Sequence, residues 1–123
     1  MLSKNSVVGI IGSGAMGAGI AQVAASAGHT VFVYDNNNAQ LEKAKNNLAA
    51  TLSKLVEKQK ITEADAKTVQ QRISWTGNLA DFKNCGLVIE AVIENLEVKQ
   101  RIFTDLEKIV SADCVLASNT SSL

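Results

Sequence analysis

The chain contains no proline and no low-complexity tract, so nothing in it reads as a linker or an internal boundary. At 123 residues it has material for one core, and a single domain spanning 1–123 is expected. It also lacks net charge, since twelve Lys and Arg balance twelve Asp and Glu. That balance leaves no basic field for nucleic acid or an anionic membrane surface, so neither is an expected partner. No apolar run approaches the ~20 residues of a membrane span. Met1-Leu2-Ser3-Lys4-Asn5 has none of the apolar core of a signal peptide. The two cysteines, Cys85 and Cys114, are not in C-x-x-C spacing. They are expected as buried, reduced thiols, which suits the cytoplasm or another reducing compartment, and no metal site is expected.

What the chain does have is concentrated near its start. The apolar run Val7-Val8-Gly9-Ile10-Ile11 leads directly into Gly12-Ser13-Gly14-Ala15-Met16-Gly17, a G-x-G-x-x-G turn. In such a turn the first glycine permits the tight bend, the second lets backbone approach a phosphate, and the third lets the next helix pack closely on the strand. The following Ala18-Gly19-Ile20-Ala21-Gln22-Val23-Ala24-Ala25-Ser26-Ala27 predicts a helix with little bulk toward the sheet, and Gly28 fits its left-handed C-terminal stop. A second strand is predicted over His29-Thr30-Val31-Phe32-Val33-Tyr34, ending in Asp35, eighteen positions beyond Gly17. A carboxylate about 20 residues on is the expected acceptor for the adenosine ribose of a dinucleotide. Its hydrogen bonds to ribose hydroxyls are worth about 1.5–3 kcal/mol each, whereas a 2′-phosphate there is repelled by several kcal/mol, on the order of a close like-charge pair at an effective dielectric near 20. Asn36-Asn37-Asn38 supply no cation to receive that phosphate, so NAD is expected over NADP.

The remainder reads as alternating helices and strands. A long helix over 39–60 carries the apolar stripe Leu41, Ala44, Leu48, Leu52 and Leu55, and Thr62 can cap a short helix whose first turn holds Glu63 and Asp65. Ile73-Ser74-Trp75-Thr76 predicts a third strand, with a loop around Asp81-Phe82 after it. Residues 86–93 predict a fourth strand, apolar on both faces, then a helix capped by Asn95 with Ile102, Phe103, Leu106, Ile109 and Val110 inward, then a fifth strand over 113–118. The expected fold is α/β, a doubly wound parallel sheet of Rossmann type in three layers, with strand order 3-2-1-4-5. Ligands of such sheets sit beyond the carboxyl ends of the strands, where Gly12, Asp35, Glu94, Asn119 and Ser121 fall. His29, the single histidine, falls at the opposite edge and is expected to be structural. Glu90, inside an apolar strand, is expected to satisfy backbone N–H groups.

Three segments together resemble one family. The opening Ile11-Gly12-Ser13-Gly14-Ala15-Met16-Gly17-Ala18-Gly19-Ile20-Ala21, the stretch Glu90-Ala91-Val92-Ile93-Glu94-Asn95-Leu96-Glu97-Val98-Lys99, and Ala117-Ser118-Asn119-Thr120-Ser121-Ser122-Leu123 are similar to those of L-3-hydroxyacyl-CoA dehydrogenases, and the resemblance covers the whole chain. It implies NAD-dependent oxidation of an L-3-hydroxyacyl-CoA to the 3-ketoacyl-CoA. It further implies that Gly12, Gly14, Ala15, Met16 and Gly17 face the diphosphate and Asp35 the adenosine ribose. Ala91, Val92, Ile93, Glu94 and Lys99 would line the nicotinamide half. Asn119 and Ser121 would stand beside nicotinamide and substrate oxygen as the catalytic pair on this chain, with Thr51, Lys58 and Ser121 toward the CoA substrate. Read from the residues alone, Glu94 and Lys99 equally suit a solvated helix start, Ser118 to Ser122 a polar turn, and Thr51 with Lys58 an ordinary exposed helix face.

The same resemblance implies a catalytic histidine paired with a glutamate in a segment later than Leu123, and a C-terminal domain that completes the substrate site and forms a homodimer. The chain is therefore expected to be the N-terminal NAD-binding domain of such an enzyme, binding NAD without appreciable turnover. Two alternatives stand beside it. The 3-hydroxyisobutyrate-type β-hydroxyacid dehydrogenases share the glycine turn and second strand but not the 94–99 and 119–122 segments. A non-catalytic NAD(H)-sensing module would need a cleanly ended, covered sheet edge.

Overall fold

Strand alternation sets the architecture. The computed structural model describes residues 6–91 and 96–118, with β1 at Val7–Ile11, β2 at Thr30–Tyr34, β3 at Ile73–Thr76, β4 at Cys85–Glu90 and β5 at Val115–Ser118. On β1, Val8 and Ile10 enter one core while Val7 and Ile11 enter another; on β2, Val31 and Val33 face the first and Phe32 and Tyr34 the second. A period of two with both faces apolar is what a sheet covered on both sides requires. The five strands are parallel in the order β3-β2-β1-β4-β5. The doubly wound fold and its expected strand order are both present.

The first core lies under three helices, α1 (Ala15–Ser26), α2 (Asn38–Glu57) and α3 (Glu63–Arg72). α1 ends as expected at Gly28, whose φ is 107°; Gly28 N–H donates to Ala25 O and His29 N–H to Ala24 O, the paired bonds of a Schellman stop. Arg72 Nη1 donates to Ala25 O at 2.7 Å, adding a cation to the same carbonyl-rich end. α2 stops at Glu57 rather than near 60, because Gln59 adopts φ 59° and Lys60 N–H turns back to Leu55 O. Thr62 and Asp65 form a reciprocal capping box on α3.

The second core lies under α4 (Leu96–Ile109) and a short 3-10 helix, Leu79–Asn84, in place of the expected loop. Asn78 Oδ1 accepts from Ala80 N–H to start that turn, and Phe82 is driven fully into the core against Gly9. A Cβ on Gly9 would stand 2.7 Å from the Phe82 ring, so the small strand residue and the large plug are matched. Of the inward set expected on α4, Leu106 is fully buried and Ile102, Phe103 and Val110 pack around it. Strand β4 begins at Cys85, with a register irregularity between Val7 and Val8 opposite it, and β5 begins at Val115, two residues later than expected.

Candidate functional site

The register brings the carboxyl ends of all five strands to one edge. Ile11 pairs with Tyr34 on one side and Glu90 on the other, Tyr34 with Thr76, and Glu90 with Ser118. Backbone bonds continue the pairing one residue past the strand ends. Gly12 N–H donates to Tyr34 O at 2.8 Å, Ala91 N–H to Ile11 O at 3.0 Å and Asp35 N–H to Thr76 O at 3.2 Å. The helices divide between the two faces at the β1/β4 boundary, which is where open α/β sheets form their ligand crevice.

At that boundary the glycine turn has the shape its sequence requires. Gly12 has φ 105°, a conformation that side-chain-bearing residues rarely adopt. A Cβ on Gly17 would lie 1.9 Å from Gly12 O and 3.5 Å from Ala91 Cβ, so α1 can descend onto β1 and β4 only with glycine here. Beside Gly14 a Cβ would meet nothing within 4 Å, leaving open space against the backbone. Gly14 caps α1 without a side-chain acceptor, and no acidic residue stands in the first turn. The positive end of the helix dipole is therefore available to an anion.

Asp35 stands across the turn from this helix end, half-buried. Its Oδ2 accepts from Ser13 N–H at 3.1 Å and Ser13 Oγ–H at 2.8 Å, and its Oδ1 accepts from Asn37 N–H at 3.0 Å. Asn37 in turn caps α2, accepting from Gln40 N–H at 3.1 Å. Ser13 is 3 % exposed. Sequence reasoning does not single it out; the only signal there is a hydroxyl-bearing residue between the first two glycines.

Gly12, Gly14, Ala15, Met16, Gly17, Asp35 and Ala91 thus converge on one edge. Val92, Ile93, Glu94, Asn95, Asn119 and Ser121 lie outside the described residues. Lys99 belongs to the first turn of α4. A groove of about 400 Å³ runs from Ser13, Gly14 and Ala15 between α1 and α2 to Lys43 and Thr51. Thr51 is exposed there, its hydroxyl donating to Asn47 O at 3.0 Å. Lys58 falls just past α2, at its C-cap, and does not line that groove. A larger hollow of about 570 Å³ between α2, α3 and β3 lies away from the glycine turn.

Outside the edge, Glu90 is completely buried on β4 and is not without a partner. His29 sits at the amino end of β2 and pairs through Nδ1 with Ser6 O at 2.9 Å, tying down the chain entering β1. Burial, with a smaller contribution from nearby Cys114, pushes the Cys85 thiol up to about 12, and burial also raises that of Cys114. Both are free thiols. Among the described residues, no helix is long and apolar enough to cross a membrane.

A helix amino end facing open backbone, with a fixed carboxylate a turn away, fits a diphosphate flanked by a ribose, and defines a dinucleotide-binding domain of the doubly wound class. The family described as 3-hydroxyacyl-CoA dehydrogenase, NAD binding domain, matches residues 7–123. The chain belongs to that family as its NAD-binding domain. It is 47% identical over 115 residues to a probable 3-hydroxybutyryl-CoA dehydrogenase of Deinococcus radiodurans, covering 94% of this chain and 41% of that protein. Among solved structures, the 3-hydroxybutyryl-CoA dehydrogenase of Escherichia coli K12 superimposes with a TM-score of 0.93 at 38% identity, covering 99% of this chain and 26% of that one. The (S)-3-hydroxybutyryl-CoA dehydrogenase of Ralstonia eutropha gives 0.90 at 39% identity, with 97% and 42% covered. The chain therefore spans less than half the length of these relatives.

Proposed function

We propose that this domain binds NAD for an enzyme that oxidises the hydroxyl of an L-3-hydroxyacyl-CoA to a ketone. The observation that carries the reading is the fixed Asp35 carboxylate beside the open amino end of α1, in a chain of this family. Gly12, Gly14, Ala15, Met16 and Gly17 hold the diphosphate through backbone N–H groups and the helix dipole, and Asp35 takes the adenosine ribose. Ala91, Val92, Ile93, Glu94 and Lys99 surround the nicotinamide half, whose chemistry when bound is to accept hydride. Asn119 and Ser121 orient the reacting oxygen, with Ser121 donating toward it as it becomes a carbonyl. Thr51, at the end of the α1/α2 groove, and Lys58 beyond it contact the CoA portion.

His29, held by Ser6 O at the far edge of the sheet, is not the proton acceptor for the substrate hydroxyl in this reading. The 123-residue chain is accordingly proposed to bind coenzyme with negligible turnover, and the longer enzyme to act as a homodimer in a reducing compartment such as the cytoplasm. Titration calorimetry with NAD, NADH and NADP is the test. Binding of the first two with NADP much weaker supports the reading, and absence of heat with NAD at millimolar concentration refutes it. Replacing Asp35 with Ser together with Asn36→Arg, at an exposed site next to it, should reverse the preference. Asn36 is chosen because Asn37 is committed to capping α2. Appreciable acetoacetyl-CoA-dependent NADH oxidation by the chain alone would reveal a base on it and contradict the division of labour.

A further inference from the structure

A carboxylate repels a 2′-phosphate only as long as it cannot turn away from it. A free aspartate relieves the encounter by rotating about χ1 and χ2, at small cost on an exposed surface. Asp35 is only half-buried, so burial alone does not restrain it. Hydrogen bonds do. An ionised carboxylate offers about four acceptor positions. Here Oδ2 accepts two hydrogens, both from Ser13, and Oδ1 accepts one, from Asn37 N–H. The Ser13 hydroxyl bond is the shortest of the three, at 2.8 Å. Ser13 is itself 3 % exposed, so its hydroxyl is removed from competing water and the bond to a charged acceptor is correspondingly strong.

We propose that Ser13 is a positioning residue that sets coenzyme selectivity through Asp35 rather than by touching the coenzyme. By occupying Oδ2 it leaves acceptor capacity on Oδ1 for a ribose hydroxyl, and it holds the negative charge where a 2′-phosphate would have to sit. The backbone half of this hold survives any substitution other than proline, because the N–H of position 13 remains. The hydroxyl half belongs to the residue, and glycine or alanine between the first two glycines would lack it. This inference rests on the proposed recognition of the adenosine ribose by Asp35.

The test compares NAD and NADP affinities by calorimetry for the wild-type chain, Ser13→Ala, Asp35→Ala and the double variant, with thermal melts to verify folding. Loss of one charge-assisted hydrogen bond should weaken NAD by about tenfold in Ser13→Ala. NADP should lose less or gain, so the ratio of the two affinities narrows. In the Asp35→Ala background the same serine substitution should change neither affinity, because the group it positions is gone. Ser13→Cys, close in volume with a weaker donor, should fall between wild type and Ser13→Ala, and serves as the readout if the alanine variant melts early. An equal loss for both coenzymes, or an undiminished effect of Ser13→Ala without Asp35, would overturn the proposal and assign Ser13 a direct or purely structural role. Wild-type chain that binds neither coenzyme would bring down the ribose reading itself, and this inference with it. Wild-type binding with an unchanged ratio in Ser13→Ala defeats only the inference.

Discussion

Single atoms decide what the site edge can accept. Asp35 is identifiable from its position at the end of the second strand, eighteen residues after Gly17, because that spacing is set by one helix and one strand. Its bonds to Ser13 are not, since contact between positions 13 and 35 exists only once β1 and β2 pair and Gly12 N–H reaches Tyr34 O. Cys85 offers a test at the same scale. Burial raises its thiol from 9.0 to about 12, so the folded chain keeps a proton that the unfolded chain gives up. Unfolding then releases a proton between those values, and stability must fall as pH rises through that window. The slope is up to about 1.4 kcal/mol per pH unit for one thiol, and below pH 9 the contribution is complete. Urea denaturation of wild type and Cys85→Ala at pH 8 and pH 10.5 should show a steeper decline for wild type; parallel declines would mean that Cys85 ionises as readily folded as unfolded.

At the scale of elements, the helix-strand contacts follow from side-chain size. α1 buries Gly17, Ala21 and Ala25 toward the sheet, a spacing of four that brings only small residues to the contact. This is legible directly, because small residues at helical period need no tertiary information to be seen. Gly17→Ala places a methyl 1.9 Å from Gly12 O, a backbone atom that cannot rotate aside. The helix must lift or the turn must open. A loss of about 1–3 kcal/mol, the scale of overpacking in a close-packed site, is expected, together with loss of NAD binding out of proportion to it. Denaturation midpoints set beside calorimetric titrations check both; full NAD affinity in a folded Gly17→Ala chain would show that close descent of α1 is not needed. The 3-10 helix Leu79–Asn84 reads as loop in the sequence because its one inward pair, Leu79 and Phe82, spans a single turn and is too short to establish a period. Phe82 is buried by the space opposite Gly9 together with the Phe32 and Tyr34 rings, 6.4 and 6.5 Å away.

For the molecule as a whole, the two cores meet at the sheet, and the coenzyme edge lies where they diverge. Any ligand that binds this edge only in the folded state must stabilise all of it by mass action, by about 2.7 kcal/mol at a hundred times its dissociation constant. NAD should therefore raise the thermal midpoint of the chain in a concentration-dependent way, with NADP far less effective at equal concentration, as read by differential scanning fluorimetry. Identical shifts from both coenzymes, or from neither, would contradict recognition of the adenosine ribose by Asp35. The chain spans 41% of the length of its Deinococcus radiodurans relative.

Local order alone determined the strand-turn-helix-strand opening, the stop at Gly28 and the capping box at Thr62 and Asp65, because each depends on short-range periodicity, backbone sterics or bonds within one helical turn. Tertiary structure alone decided that Ser13 holds Asp35 and that Phe82 fills the space left by Gly9. These depend on distances between residues far apart in the chain, and such distances come into being only when the sheet assembles.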